Sequence, residues 1–244
     1  MRAREVTVGS CRLFHGDALE VLAGLEPGSF GGVLTDPPYS SGGAFRADRS
    51  APTSAKYQSS EDRGLYPEFA GDTRDQRSYL AWSTLWMSRA RELVRPGGLL
   101  VVFSDWRQLP VTTDAVQAAG WVWRGIVPWD KTERGRPQMG RYRAQAEYAV
   151  WATNGARPLV GPVAPGVFRQ AVERFKFHIA GKPVELMEGL LQIIDGPVLD
   201  PFMGAGTVGV ACQRKGLGYA GVEMVDEYFE RSVRRLTAAA PASN

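Results

Sequence analysis

An aspartate, two prolines and a tyrosine stand together at Asp36, Pro37, Pro38 and Tyr39, where the apolar run VLT ends. The Asp36 carboxylate and the main-chain carbonyl of Pro37 are two hydrogen-bond acceptors on a backbone that the prolines restrict and that offers no N–H of its own at those positions. Such a pair suits an amine attached to an aromatic ring. The lone pair of that amine is delocalised into the ring, so the nitrogen is a poor nucleophile. Two acceptors on its N–H groups draw it towards tetrahedral geometry and localise the lone pair. The Tyr39 ring can stack on a base taken out of a helix, which chemistry on a paired base requires. The bland alternatives are a turn carboxylate before a diproline and a proline-rich ligand for another domain; the position after a buried strand weighs against both.

A second constellation lies near the other end of the chain. GAGTVG, from Gly204 to Gly209, follows the strand-like PVLDPF and opens a helical pattern, and the acid Glu223 ends the next strand. Glycines let a ligand approach the backbone closely, and an acid at that place can accept hydrogen bonds from ribose hydroxyls. A nucleoside-containing cofactor is therefore expected, either a nicotinamide dinucleotide or S-adenosylmethionine. A dehydrogenase usually needs His, Lys or Tyr as proton donor at its carbonyl, and DPPY supplies nothing of that kind beyond Tyr39. Methyl transfer to an aromatic amine uses what DPPY has.

The elements that must position these residues alternate between strand and helix. CRLFHGD reads as a strand, ALEVLAGL as a short amphipathic helix and FGGVLTD as a strand, which places Asp17 and Asp36 at strand carboxyl ends, where open α/β sheets bind ligands. Residues 40–76 are rich in Ser, Gly, Arg and Asp and predict a long mobile loop. YLAWSTLWMSRARELV predicts a helix stopped by RPGG, followed by the strand LLVVFSD and a helix around AVQAAG. WVWRGIVPW and AEYAVWAT predict an antiparallel pair at the sheet edge, and GARPLVGPVAPGVFRQ an irregular excursion. KPVELMEGLLQII predicts a helix with Pro183 in its first turn. Strand PVLDPF, loop MGAG, helix TVGVACQRKG, strand GYAGVE and helix DEYFERSVRRL complete an α/β chain without an internal repeat or a convincing second domain.

Composition excludes several classes. With 244 residues and 44% hydrophobic content the chain can bury the core of one α/β domain. No apolar run approaches a membrane span, and MRAREVTVGSCRLF returns to charge too soon for a signal peptide, so an intracellular, cytoplasmic protein is expected. Cys11 and Cys212 form no CxxC, and with only His15 and His178 beside them no metal site is expected. The net charge of +3 is modest, but Arg124, Lys131, Arg134, Arg136, Arg141 and Arg143 lie close together against Asp130 and Glu133. That stretch is either a groove for a polyanion or a solvated face.

The two motifs in combination resemble the amino-methyltransferases of DNA, the adenine-N6 and cytosine-N4 enzymes, whose signatures are (D/N/S)PP(Y/F/W) and FxGxG. Here they read DPPY at Asp36–Tyr39 and FMGAG at Phe202–Gly206. Catalytic motif first and cofactor motif last resembles the circularly permuted beta class, and HIAGKPVELMEGLL resembles the stretch that precedes its cofactor motif. The resemblance implies a Rossmann-like S-adenosylmethionine-dependent fold, a mostly parallel doubly wound sheet with an antiparallel edge hairpin. It implies that Asp36, Pro37, Pro38 and Tyr39 hold the target base. It gives Asp17 to the cofactor adenine, Glu223 to the ribose, and Phe202, Gly204, Gly206 and Thr207 to the methionine side, with Asp36, Asp200 and Lys182 also at the cofactor. The reading of the residues alone leaves Asp17 open between a ligand role and a helix cap and Lys182 between a site residue and an ordinary surface lysine, and takes His178 as a packed or hydrogen-bonded histidine rather than a catalyst.

The expected partner is double-stranded DNA, and a homodimer is among the assemblies the resemblance implies. Arg46, Arg49, Lys131, Arg134, Arg136, Arg141 and Arg143 are the expected DNA-contacting cations, and residues 156–177 the short target-recognition segment. The expected reaction is methyl transfer to the N6 amine of adenine on a flipped base. The alternatives are cytosine-N4, an RNA base, an NAD-dependent oxidoreductase and an inactive DNA-binding regulator.

Overall fold

The structure, a computed structural model, describes residues 3–39, 74–133, 139–172 and 181–240. The loop expected over 40–76 lies outside them apart from its last residues, as do Arg46, Arg49, Arg134, Arg136, His178 and the end of the expected target-recognition segment, 173–177.

The chain builds β1 (Arg4–Val8), β2 (Cys11–His15), α1 (Ala18–Leu22), β3 (Phe30–Thr35), α2 (Gln76–Leu93), β4 (Val94–Ser104) and α3 (Leu109–Ala118). It continues through β5 (Val122–Asp130), β6 (Ala146–Thr153), β7 (Phe168–Arg169), α4 (Val184–Leu190), β8 (Val198–Asp200), α5 (Thr207–Arg214), β9 (Tyr219–Glu223) and α6 (Asp226–Ala239). The strands form a nine-stranded sheet in the order β1-β2-β9-β8-β3-β4-β6-β5-β7. From β2 to β4 every neighbouring pair is parallel. The connections turn one way from β3 and the other way from β8, so the strand order reverses between these two strands, where doubly wound sheets bind their ligands.

Two cores cover the two faces. Side chains of α4, α5 and α6 pack with Leu13, Leu34, Leu99 and Val101 on one face. Those of α1, α2 and α3 pack with Val33, Leu100, Val102 and Val222 on the other. Strands buried on both sides read as continuous apolar runs, as FGGVLT and LLVVF do. The long helix α2 starts where Asp75 accepts hydrogen bonds from the N–H groups of Arg77 and Ser78, at 3.0 and 2.9 Å. It buries Tyr79, Ser83, Trp86, Met87, Ala90 and Leu93 at helical spacing.

The structure departs from the sequence expectations at several places. β1 adds an antiparallel edge that was not anticipated, because its alternating RE pattern leaves it mostly exposed. RPGG does not separate helix from strand: β4 begins at Val94, and Gly97 turns the chain with φ 76° inside it. β5 and β6 are antiparallel as expected, yet β6 is internal, paired with β4 as well, and β7 closes the outer side of β5. The irregular excursion thus contributes the edge strand. Pro183 is the residue before α4 rather than part of its first turn.

A candidate active site on the strand-end rim

Because β2, β9, β8, β3 and β4 are parallel, their carboxyl ends share one rim. Asp17, Glu223, Asp200, Asp36 and Asp105 stand at or just beyond the ends of these strands in that spatial order. β6 runs against β4, with Ser104 opposite Tyr148, and so brings its first residues, Ala146 and Glu147, to the same rim. β5 ends there too, at Asp130 and Lys131.

At the middle of the rim Asp36 meets two partners. Its Oδ1 accepts a hydrogen bond from the Tyr39 hydroxyl, and its Oδ2 lies 2.5 Å from the Lys182 ammonium. Lys182 is 5% exposed and reaches a second carboxylate, Glu147 Oε2, at 3.2 Å, and the Tyr39 hydroxyl at 3.1 Å. It is no surface lysine. The other oxygen of Glu147 takes Lys131 at 3.1 Å. Burial pushes the Asp36 carboxyl above the usual aspartate range, with Lys182 opposing it. Burial acts the same way on Glu147, but its two lysines more than reverse it and leave that carboxyl below the usual range. Lys182 stays firmly charged because two carboxylates outweigh its desolvation.

The cofactor motif lies one strand away. Gly204 and Gly206 both have positive φ, 52° and 77°, and Gly206 caps the start of α5. Glu223 accepts from the Gly204 N–H at 3.0 Å and the Val225 N–H at 2.8 Å, which ties the glycine turn to the end of β9. Thr207 accepts from Arg235 at 2.9 Å. Phe202 packs against Trp82 and Trp86 of α2, each ring centroid 5.2 Å away, and the Arg74 guanidinium covers Trp82 at 4.2 Å. Asp17 caps α1, accepting from the Leu19 and Glu20 N–H groups at 2.8 and 3.4 Å.

Asp200 has a bracing place. It is 1% exposed and accepts from Thr35 Oγ1 at 2.7 Å, the Phe202 N–H at 3.2 Å and the Tyr219 hydroxyl at 3.1 Å. These bonds join β8 to β3, to β9 and to the glycine turn. Burial pushes its carboxyl up to about 7. Between an unfolded value near 3.8 and about 7 the folded chain keeps a proton that the unfolded chain has released. This contribution to stability is complete below the lower value and is lost as pH rises through the upper one. Asp200→Asn, neutral throughout, is expected to flatten that slope: urea midpoints at pH 5 and pH 8 should differ less in the variant than in the wild type.

Of the expected DNA-contacting cations, Lys131 is folded against Glu147 and is 19% exposed. Arg141 and Arg143 are exposed, Arg143 donating to the Glu133 main-chain carbonyl. The sequence reading missed Glu147, Thr35, Tyr219 and the Trp82 stack. Glu147 had a signal: alternation in AEYAVWAT puts it on the face of Ala149 and Trp151, where a carboxylate needs a cation.

This arrangement of sheet, rim and motifs has a counterpart among known proteins. Residues 31–170 and 161–234 match the model of a family of N6 and N4 enzymes described as DNA methylase. The chain belongs to that family. Among DNA methylase relatives, YubD of Escherichia coli (strain K12), described as a methylase, is 27% identical over 93% of this chain and 90% of its own. The crystal structure of the M1.HpyAVI–SAM complex superposes with a TM-score of 0.64 at 24% identity, covering 93% of this chain and 98% of that one. PvuII DNA methyltransferase, cytosine-N4-specific, superposes at 0.68 with 16% identity, covering 96% and 92%. At these identities the likeness to the solved structures carries the fold, that of a Rossmann-like methyltransferase. No helix among the described residues is long and apolar enough to cross a membrane.

Proposed function

We propose that this DNA methylase transfers a methyl group from S-adenosylmethionine to the N6 amine of an adenine flipped out of DNA. The observation that carries the reading is the Asp36 carboxylate at the end of β3, beside β8 and its glycine turn, at the point where the strand order reverses.

The donor set fits the cofactor. A sulfonium is a cation, and the rim offers it carboxylates; Glu223 at the end of β9 suits ribose hydroxyls, and the glycine turn admits a close approach of the ligand to the backbone. When bound, S-adenosylmethionine supplies an electrophilic methyl group. Asp36 and the Pro37 carbonyl accept the two N–H bonds of the target amine and localise its lone pair. Tyr39 leaves Asp36 and stacks on the base. Alignment and charge placement then provide the rate. The aspartate favours adenine, since cytosine-N4 enzymes of the family more often carry serine there.

Genomic DNA free of modification, incubated with the protein and S-adenosylmethionine and digested to nucleosides, is expected to yield N6-methyladenine by mass spectrometry. 4-Methylcytosine instead would keep the chemistry and overturn the base, an outcome to which the likeness to the PvuII enzyme gives a concrete form. No methylated base would overturn the reading.

Sequence recognition is proposed for residues 156–177. Leu159, Val160 and Val163 are exposed there, and the segment contains β7, which pairs with the end of β5 at the rim. Replacing these three aliphatics with serine should weaken DNA binding at least severalfold and leave cofactor affinity unchanged, which isothermal titration with each ligand would check.

A further inference from the structure

The family signatures account for Asp36 and the glycine turn but not for the second carboxylate of the cluster. Glu147 comes from β6, at the rim, and its two oxygens bridge Lys131 at 3.1 Å and Lys182 at 3.2 Å. Lys182 in turn is 2.5 Å from Asp36. The ammonium has three N–H donors, and Asp36, Glu147 and the Tyr39 hydroxyl lie within reach of them.

Asp36 has a protein donor on each oxygen, Tyr39 on one and Lys182 on the other. Each oxygen keeps a second lone pair, on which a target amine must share Asp36 with these donors. Tyr39 yields when its ring turns to the base. Lys182, left alone with Asp36, would be free to swing across both oxygens and compete with the amine for the carboxylate. Glu147 is the group that pulls the ammonium the other way.

We propose that Glu147 is a positioning residue for methyl transfer: it shares the Lys182 ammonium with Asp36, so that the ammonium stays to one side and Asp36 remains open to the target amine. This rests on the proposed methyl transfer to an exocyclic amine, whichever base carries it. Glu147 does not touch the base; it acts through Lys182.

The charge relations make the role measurable. The groups facing Asp36 are Lys182 ahead of α4, Glu147 on β6, Tyr39 on its own loop, Tyr79 on α2 and Asp200 on β8. Asp36 is the stronger acceptor of an N–H when it is ionised, so activity falls on the acid side as Asp36 takes up a proton. Removing the charge of Glu147 takes away a repulsion and leaves Lys182 to Asp36 alone, and both lower the proton affinity of Asp36. Removing the charge of Lys182 raises it. Tyr79 and Asp200 are common to all the variants and cancel in the comparison.

Single-turnover methylation of DNA is compared across pH for the wild type, Glu147→Gln, Glu147→Asp and Lys182→Met. Glu147→Gln is expected to cut the rate about 10- to 100-fold, the equivalent of losing one buried ion pair's hold on the ammonium. Its acid limb should move to lower pH, Lys182→Met should move it to higher pH, and Glu147→Asp, which keeps the charge, should return it towards the wild type. A Glu147→Gln protein that melts earlier but keeps the wild-type limb would overturn the proposal, as would limbs that move in the same direction. The carboxyl titration of Asp36, followed by carbon NMR in the cofactor-free protein, separates this test from the proposed function. If the wild type methylates no DNA, the reaction assignment falls. A titration unmoved by Glu147→Gln would still overturn the role of Glu147, and one moved to lower pH would support it.

Discussion

Asp36→Ala is expected to lower the rate of methyl transfer by about a thousandfold, with cofactor affinity within a few-fold of the wild type. The size reflects the contacts removed. One of two acceptors on the target amine is lost, and that amine is a nucleophile only to the extent that its lone pair is held on nitrogen. Losing a single preorganised polar contact at developing charge costs about 10²- to 10³-fold in other enzymes. Alanine adds a second loss, because Lys182 then faces the amine site without its near counterion. The fold should survive: Glu147 remains 3.2 Å from the ammonium, so no uncompensated charge is left buried. Asp36→Asn keeps one acceptor in place and should fall between alanine and the wild type. Single-turnover transfer of labelled methyl, beside calorimetric titration with S-adenosylmethionine, separates chemistry from binding. An alanine variant within tenfold of the wild-type rate would remove Asp36 from the mechanism.

The rim was legible because its residues come directly after strands that are legible. FGGVLT and LLVVF announce strands buried on both faces, and the residue next along the chain from such a strand lies at its carboxyl end. Asp36, Asp17 and Glu223 could be placed on that ground alone. The chain's own charge pattern was less informative, since Lys131 sits in a basic stretch yet faces Glu147, while Lys182 belongs to an unremarkable KP dipeptide and is nearly fully buried. Ion pairs of this kind join residues from β6, the end of β5 and the segment before α4, and no local spacing encodes them. Asp200 shows the same limit. Its type and strand end suggested a place near the ligand, whereas three protein donors, two of them on other strands, decide what its oxygens do. β1 was lost for the opposite reason, an exposed edge whose residues satisfy few neighbours.

Gly31→Ala has the largest expected effect on stability. Gly31 lies in β3 and donates its N–H to the Pro197 carbonyl at 2.8 Å. A Cβ at this position would collide with the carbonyl oxygen of Asp195 and come within 2.6 Å of its carbon. The obstacle is backbone, so no side-chain rotation relieves it. The turn that carries Asp195 leads directly into β8, which pairs with β3 at Gly32–Val198 and Val33–Leu199. Admitting one methyl group therefore means shifting the turn, breaking the bond to Pro197, or parting the two strands. The expected loss is about 4 kcal/mol or more, at the extreme of single substitutions and a large share of an ordinary domain's stability. Gly166→Ala is the matched control, with no atom within 4 Å of the added Cβ and no left-handed φ. Urea unfolding of the two variants should show Gly31→Ala far below the wild type or failing to fold, and Gly166→Ala close to it. β3 carries Asp36 and β8 carries the glycine turn, so whatever of the Gly31→Ala protein folds should also lose methyl transfer by more than its unfolded fraction explains. A Gly31→Ala midpoint near that of the wild type would mean that these two strands lie further apart than described, and the spacing between the Asp36 carboxylate and the cofactor turn would change with it.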